Sequence, residues 1–101
     1  MAVAVQDNQD EHRYEASVDG ALAGFAAYRI QPPAISFTHT EVDERFEGQG
    51  IASALIREGL EDARRRDLEV LPFCPFVSSF IAKHHEYVEL VPASRRERFG
   101  L

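Results

Sequence analysis

Apolar residues alternate with polar ones from Arg13 to Val18, with Tyr14, Ala16 and Val18 set against Arg13, Glu15 and Ser17. That period of two predicts a half-buried strand. Asp19-Gly20 follows, a strong signal for a two-residue hairpin turn. Ala21 to Ile30 reads as the return strand, with bulk from Leu22, Phe25, Tyr28 and Ile30. Pro32-Pro33 ends it, because proline has no N–H to give to a ladder. Ala34 to Val42 is a third strand. Strict alternation puts Ile35, Phe37, His39 and Glu41 on one face and Ser36, Thr38, Thr40 and Val42 on the other. Ionisable groups thus end a face that begins with core residues.

The period then changes. From Ile51 to Arg66, Ala52, Leu55, Ile56, Gly59, Leu60 and Ala63 recur at helical spacing, and charged residues fill the rest. Gly59 inside that helix costs roughly 1 kcal/mol against alanine, which points to close packing on the sheet. Leu68 to Cys74 reads as a fourth strand interrupted by Pro72, and Phe76 to His85 as a second helix with Phe76, Val77, Phe80 and Ile81 on one side. Glu86 to Val91 is a short last strand. Residues 1–11 are expected to be a loose terminus contributing at most part of a strand, and residues 92–101 a charged tail. A strand–helix–strand crossover makes its two strands parallel. The expectation is one α/β (α+β) domain over residues 1–101, in the order β-β-β-α-β-α-(β). Its sheet is mixed, mostly antiparallel with one parallel pair.

A length of 101 residues fits a single domain with a small core. The net charge of −6 argues against a nucleic-acid partner, which needs a basic face. A lone cysteine, Cys74, forms no internal disulfide. The N-terminus lacks a basic stretch followed by a long apolar one, and no apolar run approaches the roughly 20 residues of a membrane span. A cytoplasmic protein with no membrane partner is expected. A monomer or weak homodimer is also expected, with an exposed sheet edge as the pairing surface.

Between the third strand and the long helix stands Arg45-Phe46-Glu47-Gly48-Gln49-Gly50. Alternate glycines let successive backbone N–H groups turn into one concavity. The helix behind them adds roughly half a positive charge at its N-terminus. Together they suit a pyrophosphate. The competing reading is a helix start that uses glycine only for tight packing. Neither the Walker P-loop pattern nor the three-glycine dinucleotide fingerprint is present. Arg45 either contacts the anion or holds the turn.

The run Arg45-x-x-Gly48-x-Gly50, continued by Ile51-Ala52-x-x-Leu55, resembles the pyrophosphate-binding motif of the GNAT superfamily of N-acetyltransferases. Leu71 to Val77 and His84-His85-Glu86-Tyr87 are similar to its small single-domain branch. The resemblance spans roughly His12 to Leu90. It implies acetyl-coenzyme A as co-substrate, with its pyrophosphate on the backbone of Phe46, Glu47, Gly48, Gln49, Gly50, Ile51 and Ala52. It also implies a pantetheine arm between two splayed parallel strands ending near Val42 and Cys74. There the backbone of Glu41 and Val42 would bond the arm as an added strand would. The acetyl group would sit near His39, Glu41 and Cys74.

Transfer to an amine needs a deprotonated nucleophile, a polarised carbonyl and an acid for the leaving thiolate. Glu41 is the candidate base, against a solvated strand-end carboxylate. His39 is a second base or an orienter of Glu41, against a core-edge histidine. Cys74 is a candidate acid or nucleophile, against simple packing. His84 and His85 point apart on a helix and suit surface or capping roles; no metal is expected. Tyr87 reads as a packing residue. Two features depart from larger members of the superfamily. No tyrosine stands in Ser79-Phe80-Ile81-Ala82, and only Gln31 to Pro33 stands where two helices usually wall the acceptor site. An amine acceptor is therefore expected at an open site, which a large acceptor such as a protein or peptide would suit. A non-catalytic acyl-CoA-binding or sensing module is the second reading, and an interaction domain without cofactor the third.

Overall fold

A computed structural model describes residues 3–101. Its strands are β1 (Val3–Asn8), β2 (Arg13–Val18), β3 (Ala21–Gln31), β4 (Ala34–Val42) and β5 (Glu69–Pro72). Helix α1 (Ile51–Arg65) joins β4 to β5, and α2 (Pro75–Lys83) follows β5. The five strands form one sheet in the order β1-β2-β3-β4-β5. Neighbours are antiparallel up to β4, and β4 and β5 are parallel. This is the expected mixed sheet with one parallel pair.

Two elements differ from the sequence reading. The terminus expected to be loose supplies β1, in which Val3 and Val5 stand opposite Val18 and Ala16. The buried face of β2 thereby gains a neighbour for its apolar residues. The first two residues of that segment lie outside the described residues. The expected last strand is instead a run of tight 3₁₀ turns over His85–Leu90. Tyr87 explains why. Its side chain is buried and its hydroxyl donates to Glu61 of α1 at 2.7 Å, while the Arg64 guanidinium lies 5.3 Å from its ring centroid. Docked on α1, the segment is drawn away from the sheet edge. The tail also folds, with short turns at Ala93–Arg95 and Glu97–Phe99. Phe99 packs edge-on against Phe73 at 5.3 Å.

Helix α1 buries Ile51, Leu55, Ile56, Gly59, Leu60 and Ala63. A Cβ at Gly59 would stand 3.0 Å from the Phe37 ring and 3.4 Å from that of Tyr14, so the absent side chain sets the distance between helix and sheet. Tyr14 donates to Asp62 at 2.6 Å, which ties β2 to the last turn of α1. Burial and that hydrogen bond push the Tyr14 phenol well above its usual range. In α2, Val77, Phe80 and Ile81 are buried. Phe76, expected beside them, is 42% exposed, since it lies in the first turn just after Pro75.

Candidate functional site

β4 and β5 are hydrogen-bonded partners only from Ala34 opposite Glu69 to Phe37 opposite Pro72. Pro72 ends β5, and the Cys74 N–H makes a last bond to the Phe37 carbonyl at 2.9 Å before α2 begins at Pro75. β4 runs on for five more residues, Thr38 to Val42, bonded to β3 on one side alone. The parallel pair therefore opens beyond Phe37. It leaves an edge of strand backbone with no ladder partner among the described residues, of the kind to which an extended polar chain adds.

The side chains along that free segment do not follow strict alternation. Ala27 stands opposite His39 and Tyr28 opposite Phe37, so Thr38 is an extra residue, a β-bulge. Beyond it the faces exchange. Thr40, opposite buried Ala26, continues the core face of Phe37, while His39 and Glu41 turn to the outer face. The expectation that His39 and Glu41 continue the Ile35–Phe37 face is thus corrected, and the bulge is the reason. On the outer face the His39 Nε2 lies 3.8 Å from a Glu41 carboxylate oxygen, and both side chains are more than half exposed. The His39 ring lies 6.0 Å from Phe25, whose other neighbour is the Arg13 guanidinium at 4.6 Å. Cys74 is on the inner side, buried, with its thiol 3.5 Å from the Thr40 hydroxyl oxygen. The sequence groups His39, Glu41 and Cys74 together. In the structure His39 and Glu41 form a pair and Cys74 stands apart from them, across the plane of β4.

The chain then turns through Asp43 to Gly50. Asp43 accepts from the Arg45 N–H at 2.9 Å and from its guanidinium at 3.1 and 3.2 Å. These bonds from Arg45 hold the Asp43 carboxyl below its usual range. Of the two roles open to Arg45, the turn-holding one is what the hydrogen bonds display. Gly48 and Gly50 have φ of +79° and +77°, which a side chain rarely tolerates, and neither would meet an obstacle within 4 Å if one were added. Their role is conformational and leaves room around them. The N–H groups of residues 48–53 donate to no protein group among the described residues; the first capping bond of α1 runs from the Ala54 N–H to the Gly50 carbonyl. A hollow of about 200 Å³, lined by Val42, Phe46, Gly48, Gly50, Ile51 and Ala52 among others, joins this row of donors to the end of β4. Unsatisfied N–H groups at the positive end of a helix, beside a hollow, fit a diphosphate.

A larger open cleft of about 630 Å³ lies on the β3 side of the same turn, from Leu22 and Phe25 to Glu41, Glu44 and Glu47. The remaining singled-out residues are structural. His84 caps α2, stacks on Phe80 at 4.0 Å and sits with Nδ1 2.9 Å from the Phe80 carbonyl oxygen; His85 is exposed. Tyr87 packs, as expected. Thr40 and Phe25 are site neighbours that the sequence pattern does not mark. Both become neighbours only through strand register and the bulge, which no local residue type announces.

The family described as GCN5-related N-acetyl-transferase matches residues 13–90. A GCN5-like putative N-acetyltransferase from Staphylococcus aureus shares the fold, with a TM-score of 0.68 at 21% identity over 88% of this chain and 87% of its own. Rv2747 from Mycobacterium tuberculosis, solved in complex with CoA and NLQ, superposes with a TM-score of 0.60 at 24% identity over 73% of this chain and 47% of its own. A ribosomal-protein-alanine N-acetyltransferase from Brucella melitensis biovar Abortus 2308 is 27% identical, with a TM-score of 0.54, over 80% of this chain and 62% of its own. The chain thus spans less than two thirds of each of the last two proteins. Among curated proteins, none matches its sequence.

Proposed function

The chain belongs to the family of GCN5-related N-acetyltransferases, and on that premise we propose that it moves an acetyl group from acetyl-coenzyme A to an amine acceptor, in the cytoplasmic setting that a lone free thiol suits. The observation that carries this reading is the junction of two features at Val42. The unpaired edge of β4 ends where the free N–H row of residues 48–53 begins. An extended arm along the first reaches a diphosphate on the second, so the backbone of Glu41 and Val42 and the turn from Phe46 to Ala52 form one continuous cofactor track, with Arg45 bracing it through Asp43.

Bound there, acetyl-coenzyme A supplies the activated acyl group. The chain's own residues divide the remaining work between the two faces of the opening. On the outer face Glu41, with His39 beside it, takes the proton of an ammonium acceptor and frees its nitrogen to attack the acyl carbon. As the carbon–sulfur bond breaks, the acylated nitrogen loses its second proton to solvent water, and Cys74 on the inner face gives a proton to the departing sulfur and regains one from solvent. The Thr40 oxygen orients the Cys74 thiol.

Release of free thiol from acetyl-coenzyme A in the presence of amines tests this reading. Glu41→Gln is expected to lower the rate by about a hundredfold or more while leaving coenzyme A binding intact. One observation favours the second reading, a non-catalytic acyl-coenzyme A-binding module. His39 and Glu41, the pair that would handle the acceptor's proton, are both more than half exposed. Tight cofactor binding with no thiol release across a wide range of amines would establish that module in place of the enzyme.

A further inference from the structure

The outer face of the sheet is uncovered around the proposed transfer point, and what lines it differs in kind from the cofactor track. Leu22 is 47% exposed, and Phe25 is half-buried beside it on the same strand. These two apolar residues border the 630 Å³ cleft, whose other wall carries Glu41, Asp43, Glu44 and Glu47. The one cation of the wall, Arg45, is held by Asp43. Four carboxylates against one paired guanidinium leave the wall strongly negative. Phosphates seated on residues 48–53 would add to that field, because the two hollows share Val42 and Glu47.

Resting on the acetyltransferase reading, we propose that this cleft docks the acceptor as an extended basic peptide. Lysine or arginine side chains lie against Glu44 and its neighbours, aliphatic ones lie on Leu22 and Phe25, and the reactive amine is presented to Glu41. Charge complementarity sets the sign of the partner. The shape sets its size. A small polyamine calls for a site that buries most of its surface, whereas this cleft lies open along the start of β3 and the end of β4. An acidic acceptor, or a free amino acid with its carboxylate, would face like charge along the whole wall. Binding is expected to be tighter at low ionic strength, since the facing charges are exposed and screened within roughly 10 Å at 0.1 M salt.

The test is fluorescence anisotropy with a labelled short peptide alternating lysine and leucine, beside a counterpart with glutamate for lysine, each with and without coenzyme A. Spermidine serves as competitor. Glu44→Lys is the informative variant, because Glu44 is exposed and its side chain makes no bond among the described residues. The expected result is binding of the basic peptide alone, strengthened by coenzyme A and weakened about tenfold by Glu44→Lys, with spermidine a poor competitor. Equal binding of the two peptides, indifference to Glu44→Lys, or displacement by spermidine at peptide-like concentration would overturn the proposal. Thermal stabilisation of the same samples by coenzyme A is read in parallel. Stabilisation without peptide binding defeats this inference alone. Peptide binding without stabilisation defeats the cofactor reading and leaves the basic-peptide cleft standing.

Discussion

The two halves of β4 have the same backbone and opposite fates. From Ala34 to Phe37 the strand is paired on both sides, and Ile35 and Phe37 are fully buried beneath α1. From Thr38 to Val42 it is paired on one side, and His39 and Glu41 face solvent. One extra residue, Thr38, and one proline, Pro72, separate the halves. The first half holds the molecule together, and the second offers backbone and side chains to something else. On the proposed reading, a rigid strand whose far end is left unfinished places Glu41 and His39 accurately without burying them.

The comparison is broken most severely in the buried half. Phe37→Ala removes the ring that Gly59 packs on and is expected to cost about 3–5 kcal/mol of folding stability, read as a shift in denaturant midpoint. If the halves are separable, the fraction still folded keeps its response to coenzyme A. Next comes Gly24, opposite Val42 in the open half. A Cβ there would stand 2.6 Å from the Glu41 carbonyl oxygen, so backbone must move. Gly24→Ala is expected to cost about 1–3 kcal/mol and, unlike Phe37→Ala, to weaken coenzyme A binding in the folded protein. The smallest effect lies far from the opening. Burial alone would raise the Asp62 carboxyl, but hydrogen bonds from Tyr14 and Arg66 outweigh it and hold that group below its usual range. Its folded value being depressed, its contribution to stability is present above the unfolded value near 4 and is lost as pH falls through the lower folded one. Asp62→Asn should flatten the acid side of the stability profile and leave coenzyme A binding and any transfer rate at neutral pH unchanged.

Much of this division is legible in the sequence. The alternation from Arg13 to Val18, the bounds of β4 and the glycine-spaced turn into α1 follow from side-chain period and from the conformations glycine allows, both local properties. The bulge is not local. Thr38 looks like any strand residue, and its extra place in the ladder emerges only in the pairing of β4 with β3. For that reason the sequence places His39 and Glu41 on the wrong face. β1 is not marked by its own pattern, because Val3 and Val5 become half-buried only once β2 lies beside them. The segment around Tyr87 has the composition of a strand but is claimed by a helix through one hydroxyl and one guanidinium.

The central claim, that the unfinished end of β4 and the turn after it form a coenzyme A site, is tested most directly by thermal melting with and without acetyl-coenzyme A. Gly48→Glu, which fills the hollow and opposes the phosphates, is the control. Ligand at about 100 times its dissociation constant adds roughly 2.7 kcal/mol to stability, which in a domain this small is a rise on the order of 10 °C. The account predicts that rise in the native protein and its loss in Gly48→Glu. A folded native protein whose midpoint does not move at saturating ligand would contradict it.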